Sequence, residues 1–460
     1  MRCRSAALGA CAIVVALVAS GCITGPLPPG PPDPHLTARG YFQTEYFLGG
    51  TATAYGMVGP FGTDGRWTAK RTTSASYNTR LLVRRPFDAR RFNGTVLVEW
   101  LNVSAGSDID VTSGAAIDEL LRDGYAFVGV SAQKTGVDAL RSSNPSRYGS
   151  LFHPGDDYSY DIFSQAGAAV RGLFGPNVLG GLHARRVIAA GESQSAFRFV
   201  TYINAVHPLA KVFDAFLIYS RGAGAAALFT GADMPTPALI RTDQPVPIID
   251  LQTEGDIVVL RSHLARQPDS THFRLWEVAG GSHADEHTLS RQNPPSPTSP
   301  GSPCQFRSNS ASTFAVVSAA VSALNTWVRD GLAPRSAPRI TLGPDPSVLD
   351  PVVRDAHGNA LGGIRLPELE VPISTITGLP NPAPPNAPAI FQAFCRLFGQ
   401  TIPFSASELA QLYPSHDGYF QKVVHATDSV VAKGFVLRED GEPWKLVAAA
   451  SNIGEPPATP

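Results

Sequence analysis

The chain has 460 residues, of which 43% are hydrophobic and 16% charged, and its formal net charge is −1. This composition is typical of a globular protein with enough apolar residues for a large core. A near-neutral chain lacks the basic surface of a nucleic-acid-binding protein, so that class is excluded. We expect no cofactor and no metal.

The first 22 residues have the order of an export signal. After a short basic start, the apolar run 10–19 is too short to span a bilayer as a mature helix. The ending VASGC resembles a bacterial lipobox, although Ala19 stands where Leu is more usual. We expect acylation of Cys22 and a lipoprotein on the outer face of the bacterial cytoplasmic membrane or in the cell envelope. A plain secretory signal cleaved nearby is the alternative.

Four regions follow from the composition along the chain. After the signal, residues 23–40 are rich in proline, which predicts a semi-rigid tether between the membrane and the folded domain. Residues 41–333 alternate strand and helix, as a doubly wound α/β sheet requires. Residues 334–460 are first rich in proline and then helical, and we expect them to pack on this core as an appendage. Within the core, residues 294–303 predict an exposed Pro/Ser loop.

The periodicity of apolar residues predicts these elements in chain order. The predicted strands are 46–55, 79–84, 95–101, 126–130, 186–190, 213–219, 246–251 and 273–278. The predicted helices are 114–122, 160–173, 194–205, 312–330, 405–412 and 417–433.

Ser193 lies where a nucleophile elbow would place a catalytic serine. The sequence RVIAAGESQS gives an apolar strand, a turn bearing Ser193, and then an amphipathic helix. Gly191 and Ser195 are the small residues that let the strand and the helix approach closely. The sequence around Ser282 matches the same pentapeptide loosely but lacks this strand–helix context. We therefore expect an α/β-hydrolase fold with Ser193 as nucleophile.

A serine nucleophile needs a base, and the base needs an acid that orients it. In this fold the acid and then the histidine follow the serine along the chain. Asp256 follows the strand 246–251 and the turn residue Gly255, so we predict Asp256 as the acid and Glu254 as the alternative. His283 follows the next strand in a Gly-rich loop. The expected catalytic triad is Ser193, Asp256 and His283.

The oxyanion hole is expected at two backbone N–H groups. One is that of Gln194, directly after the nucleophile. The other belongs to the loop after the strand 95–101, where Asn102 and Val103 are the candidates.

Four segments resemble a bacterial family of exported α/β-hydrolase-domain proteins: GESQS, VLVEWLNVS, DYSYDIFSQAG and GGIRLPELEVP. The resemblance covers nearly all of the mature chain. It implies the fold and a serine-hydrolase site at Ser193, and it implies that the region around Arg365 lies near the pocket. It implies no particular substrate.

The expected activity is carboxylic ester hydrolysis on a small-molecule substrate. Two alternatives remain open. The first is a lipid-anchored binding protein that has the fold but no activity. The second is a zinc metallopeptidase, because His283, Glu286 and His287 fit the spacing H-x-x-E-H.

Three of the five cysteines, Cys3, Cys11 and Cys22, belong to the signal. Cys304 and Cys395 remain. An even pair in an oxidising compartment predicts one disulfide, and two unrelated buried thiols are the alternative.

Overall fold

The computed structural model of the protein describes residues 21–30, 33–292 and 304–455. Most of the expected export signal, residues 1–20, lies outside these residues, and so does the whole of the expected Pro/Ser loop, residues 294–303. None of the helices in the described residues is both long enough and apolar enough to cross a membrane.

The described residues contain eleven strands. They are β1 (Cys22–Thr24), β2 (Tyr41–Met57), β3 (Ala69–Pro86), β4 (Thr95–Trp100), β5 (Ala126–Val130), β6 (Arg186–Glu192), β7 (Ala215–Tyr219), β8 (Ile248–Thr253), β9 (Phe273–Val278), β10 (Ser374–Thr377) and β11 (Gln400–Pro403).

The first nine strands form one sheet in the order β1-β2-β3-β5-β4-β6-β7-β8-β9, and β10 pairs with β11 in a small antiparallel sheet. Strand β4 is parallel to both β5 and β6, and β8 is parallel to β9. Strands β1, β2 and β3 are antiparallel to their neighbours. The predicted fold class, a mostly parallel sheet flanked by helices, is confirmed.

Sixteen α-helices lie in the described residues. They are α1 (Pro34–Ala38), α2 (Val111–Ala115), α3 (Ile117–Arg122), α4 (Lys134–Ser143), α5 (Pro145–Tyr148), α6 (Ser159–Val170), α7 (Gln194–Thr201), α8 (His207–Ala210), α9 (Glu254–Leu260), α10 (Glu286–Gln292), α11 (Thr313–Asp330), α12 (Pro367–Glu370), α13 (Ala389–Cys395), α14 (Ala406–Leu412), α15 (His416–Ala432) and α16 (Arg438–Ala449).

Several predicted bounds need correction. The first two strands were expected to be short, but β2 has 17 residues and β3 has 18. The first half of β3 carries five exposed polar side chains between Lys70 and Ser76, so the apolar pattern does not reveal it. The predicted helix 114–122 is two helices, α2 and α3. The predicted helix 194–205 leaves α-helical geometry after Thr201 and continues as a π-turn.

By internal contacts the chain divides into two compact units. The first comprises the described parts of Met1–Ser113, Asp118–Phe216 and Gly224–Val246, and the second comprises those of Gly114–Ile117, Leu217–Ala223 and Pro247–Pro460. The expected appendage 334–460 therefore falls in the same unit as residues 247–333.

The core of the first unit lies around β4, whose six residues are all buried. Trp100 at its end packs on Phe163 and Phe199, with ring centroids 4.9 and 6.0 Å away. Aromatic rings of this size account for much of the apolar area that a core buries. This cluster fixes α7, the helix that begins directly after Ser193.

The expected tether does not stand clear of the sheet in the described residues. Strand β1 pairs with β2, so that Cys22 lies opposite Gly49. Farther along, the N–H of Leu27 donates to the carbonyl of Glu45. Both contacts use the edge of β2 that is not paired with β3 and that would otherwise be an open strand edge.

Candidate active site

Ser193 has the backbone conformation of a nucleophile elbow. Its φ of 55° and ψ of −118° lie outside the regions that L-residues ordinarily adopt. Strand β6 ends immediately before Ser193, and α7 begins immediately after it. Such strain persists only where the surroundings enforce it, and it is frequent at catalytic serines of this fold.

Small residues on both sides of Ser193 make the turn possible. A Cβ added to Gly191 would lie 2.6 Å from a ring carbon of Phe199 and 3.0 Å from the Cβ of Ser195. Ser195 is itself fully buried. Only glycine at 191 and a small side chain at 195 therefore allow β6 and α7 to pack this closely.

Asn102 has a different role from the predicted one. Its backbone N–H donates to the carbonyl of Ile109 at 2.9 Å, so it is not free to stabilise an oxyanion. The predicted backbone role of Asn102 is therefore wrong, because the loop closes on itself through this hydrogen bond. Val103, the second candidate in the loop, is buried.

The side chain of Asn102 instead links two parts of the site. Its amide nitrogen donates to the backbone carbonyl of Glu192 at 3.1 Å and to the carboxylate of Glu192 at 3.0 Å. Its amide oxygen accepts from the N–H of Ser104 at 2.8 Å. Asn102 thus ties the loop after β4 to the residue just before Ser193. The sequence carries no motif that distinguishes this role from an ordinary turn asparagine.

Asp256 and His283 form a buried pair. The Nδ1 atom of His283 lies 2.7 Å from Oδ1 of Asp256, and their side chains are 5% and 0% exposed. The second carboxylate oxygen, Oδ2, accepts from the N–H of Thr253 at 2.7 Å and from its hydroxyl at 2.9 Å. With both oxygens engaged, the carboxylate holds the imidazole in one orientation.

Asp256 lies in a helix, whereas the sequence predicts a turn at Gly255. Thr253 caps α9, and Asp256 is the third residue of that helix in a reciprocal capping box. Gly255 matters for close approach, because a Cβ there would lie 2.8 Å from the backbone nitrogen of His283.

Glu254, the alternative acid, is bound elsewhere. Its carboxylate lies 2.9 Å from a guanidinium nitrogen of Arg354 and accepts backbone N–H groups of Gly280 and Gly378, at 2.9 and 3.0 Å. Of the two candidate acids, the structure therefore brings Asp256 to His283. Arg354 lies 100 residues farther along the chain than Glu254, and no motif in the sequence points to it.

The segment with the spacing H-x-x-E-H does not have the geometry of a zinc site. Helix α10 begins at Glu286, so His283 and His287 do not share one helical face. The Glu286 carboxylate pairs with Arg307 at 2.7 Å, and the His287 ring stacks on Phe314 at 4.5 Å. Throughout the described residues, no group of three or more potential ligands is placed to hold a metal ion.

The remaining predicted residues lie as follows. Cys304 and Cys395 form a disulfide with Cα atoms 5.7 Å apart, which confirms that prediction. Cys22 is exposed in β1. Arg365 pairs with Asp355 and Glu370, at 3.1 Å each, and so braces its own segment of the second unit.

An elbow serine between a parallel strand and a helix, in a sheet of this order, defines the α/β-hydrolase class. An alpha/beta hydrolase domain family matches residues 19–445, and the chain belongs to that family. None of the curated proteins compared with the chain matches its sequence.

Three solved structures illustrate the likeness. A lidless a/b serine hydrolase from Xanthomonas campestris is 14% identical, over 54% of this chain and 97% of that one, with a TM-score of 0.29. A glucuronoyl esterase from Teredinibacter turnerae is 11% identical, over 61% and 78%, with a TM-score of 0.30. A poly(3-hydroxybutyrate) depolymerase from Bordetella parapertussis is 13% identical, over 56% and 88%, with a TM-score of 0.30.

Proposed function

We propose that the protein is a serine hydrolase that cleaves carboxylic esters of small molecules, with Ser193 as nucleophile, His283 as base and Asp256 as orienting acid. The observation that carries the proposal is the strained backbone of Ser193 at the junction of β6 and α7. The buried pair of Asp256 and His283 supports it, because it supplies a base of fixed orientation at the chain positions that this fold uses.

The chemistry follows from these three groups. Asp256 accepts the Nδ1 proton of His283, which leaves Nε2 as the basic nitrogen. His283 takes the proton of Ser193 as Oγ attacks the ester carbonyl, and then gives it to the departing alcohol. Water, activated by the same imidazole, next attacks the acyl-enzyme; the carboxylic acid leaves and Ser193 recovers its proton.

The tetrahedral intermediates need donors for their negative oxygen. In this proposal the N–H of Gln194, at the start of α7, is one donor and the N–H of Val103 is the other. The side chain of Asn102 sets the spacing between these two donors, because it is hydrogen-bonded to Glu192 on one side and to Ser104 on the other.

Labelling with a fluorophosphonate probe tests the nucleophile. The wild-type protein should be labelled at Ser193, and Ser193→Ala should abolish labelling and lower ester turnover by about 10⁴-fold or more while the protein stays folded. Ser282→Ala, the matched control from the second pentapeptide, should keep the labelling. Turnover at the wild-type rate in a folded Ser193→Ala variant would refute the assignment. A wild-type protein that is neither labelled nor active would be an inactive binding protein.

We also propose that Cys22 carries the lipid anchor. The support is the lipobox-like ending of the signal and the exposed position of Cys22 in β1. Stable anchoring takes more than one acyl chain, as lipobox processing provides. Cys22→Ser should move the protein from the membrane fraction to the soluble fraction. If the variant stays in the membrane fraction, another element anchors the chain.

A further inference from the structure

The loop that carries His283 is held by residues distant in sequence. We call residues 279–286 the histidine loop and residues 334–455 the C-terminal segment. The N–H of Ala284, next to His283, donates to the carbonyl of Leu397 at 3.0 Å. The side chain of Asn309 donates to the carbonyls of Gly280 and Thr377, at 2.6 and 2.9 Å.

Apolar packing joins the same parts of the chain. Ile257 of α9 and Ala279 of the histidine loop are buried in one cluster with residues of the C-terminal segment, among them Leu369 and Ile376. A second cluster surrounds the disulfide and includes Ala284 and Leu397. Close-packed interiors of this kind transmit small displacements, so a shift of the C-terminal segment would move the loop.

Glu254 lies where α9, the histidine loop and the C-terminal segment meet. It begins α9, the helix of Asp256, and it is completely buried. One carboxylate oxygen accepts the N–H of Gly280 in the histidine loop. The other oxygen contacts Arg354 and the N–H of Gly378, both in the C-terminal segment.

We propose that Glu254 is a positioning residue for His283, and that it acts by tying the histidine loop and the helix of Asp256 to the C-terminal segment. This inference rests on the proposed function, because it assigns Glu254 to the support of that triad. It also implies that the C-terminal segment helps to position His283.

The residues around Glu254 are closely packed. A Cβ added to Gly378 would lie 2.2 Å from the backbone nitrogen of Gly255, so the C-terminal segment is in direct contact with the first turn of α9. Burial raises the pKa of Glu254, while Arg354 and the two N–H donors oppose that rise. A buried carboxylate with this many donors is costly to disturb, because each donor would be left without its acceptor.

Glu254→Gln tests the proposal, since glutamine keeps the size but loses the charge and one acceptor. The loop should loosen and weaken the contact between Asp256 and His283, and the imidazolium should then be less stabilised. We expect kcat to fall about 10- to 100-fold with KM little changed. The acid limb of kcat/KM should move to lower pH by about half a unit or more, because the pKa of His283 falls.

A direct titration of His283 by NMR of protein labelled with ¹⁵N-histidine gives a second measurement that does not depend on activity. The pKa of His283 should be lower in Glu254→Gln than in the wild type. Arg354→Lys, which keeps the positive charge, should shift the pKa of His283 in the same direction by a smaller amount. This variant tests the proposal if Glu254→Gln does not fold.

Glu368→Gln is the matched control, because Glu368 is a half-buried glutamate of the same unit whose carboxylate contacts Ser312 and Trp444 instead. It should keep the wild-type acid limb. The proposal would be overturned if folded Glu254→Gln showed the same acid limb of kcat/KM and the same pKa of His283 as the wild type. Failure of Ser193 labelling would refute the proposed function alone, since the NMR titration would still report on the positioning.

Discussion

The nucleophile elbow and the histidine loop are held by different means. Around Ser193 the decisive contacts are local: Gly191, Ser195 and Phe199 lie within nine residues of one another. Around His283 the partners come from far along the chain. The carboxylate of Glu254 joins Gly280 to Gly378, and the carbonyl of Leu397 receives the N–H of Ala284.

This difference matters for how each part can fail. The elbow depends on short side chains at fixed positions, so a single added methyl group at Gly191 would collide with Phe199. The histidine loop depends on a network of hydrogen bonds in which each partner carries a share. Damage to one partner should therefore loosen the loop by degrees, and the effect should grow with proximity to the imidazole.

The largest effect on the loop side should come from Asp256→Asn. The asparagine amide can donate to Nδ1 and so favour the wrong tautomer of His283, which lowers kcat by up to about 10⁴-fold with substrate binding little changed. Steady-state kinetics on a short-chain ester measures this loss.

The comparison variant is Glu254→Gln, which should lose only about 10- to 100-fold. The reverse order, with a large loss in Glu254→Gln and near wild-type kcat in Asp256→Asn, would make Glu254 the orienting acid. Together the two variants distinguish a residue that contacts His283 directly, Asp256, from one that positions it through the histidine loop, Glu254.

The elbow could be predicted from the sequence because its determinants are contiguous. An apolar strand, Gly191, Ser193, Ser195 and an amphipathic helix all lie in about fifteen residues, and the periods of strand and helix are visible there. The fold class followed from the same alternation. The disulfide followed from counting cysteines, since only Cys304 and Cys395 remained outside the signal.

The structure places Asp256 beside His283 and Glu254 beside Arg354, but the local geometry at Asp256 differs from the one expected. The chain does not turn at Gly255; it enters α9 directly. The sequence held the signal for this, because Thr253 and Asp256 have the spacing of a capping box.

The support of the histidine loop could not be predicted. Glu254 is 26 residues from Gly280 and 124 from Gly378, and nothing periodic connects them. The backbone role assigned to Asn102 failed for a similar reason, since its N–H is taken by Ile109 through a loop closure that no local pattern reveals. Pairings of this kind depend on the folded arrangement of several segments.

The last expected effect concerns the pH dependence of the free energy of unfolding. Each of the two units contains a glutamate whose pKa is raised to about 7 by burial of its carboxyl group: Glu99, which is buried on β4 of the first unit, and Glu368, which is half-buried on α12 of the second. Glu99 accepts the N–H groups of Thr112 and Ser113 at the start of α2. Glu368 accepts hydrogen bonds from side chains of other segments of the second unit, Ser312 and Trp444, the latter at 3.0 Å.

The sign follows from the raised pKa of Glu368. The folded protein holds a proton between pH 4.5 and about 7 that the unfolded chain has released, so the free energy of unfolding falls as pH rises through this window. A shift from 4.5 to about 7 corresponds to about 3 kcal/mol at most. The glutamine in Glu368→Gln cannot ionise, so this variant does not show the fall in the free energy of unfolding. Relative to the wild type it should therefore gain up to about 3 kcal/mol between pH 5 and pH 8, measured by urea unfolding.

Glu99→Gln gives the matched measurement in the first unit. Each variant is compared with the wild type at the same two pH values, so the titration of all other groups cancels. A difference between wild type and Glu368→Gln that stays constant from pH 5 to pH 8 would mean that Glu368 titrates near its ordinary pKa and is hydrated. In that case the packing of α12 against Trp444 is looser than its burial implies, and the tightness of the C-terminal segment would rest on the disulfide and on Glu254.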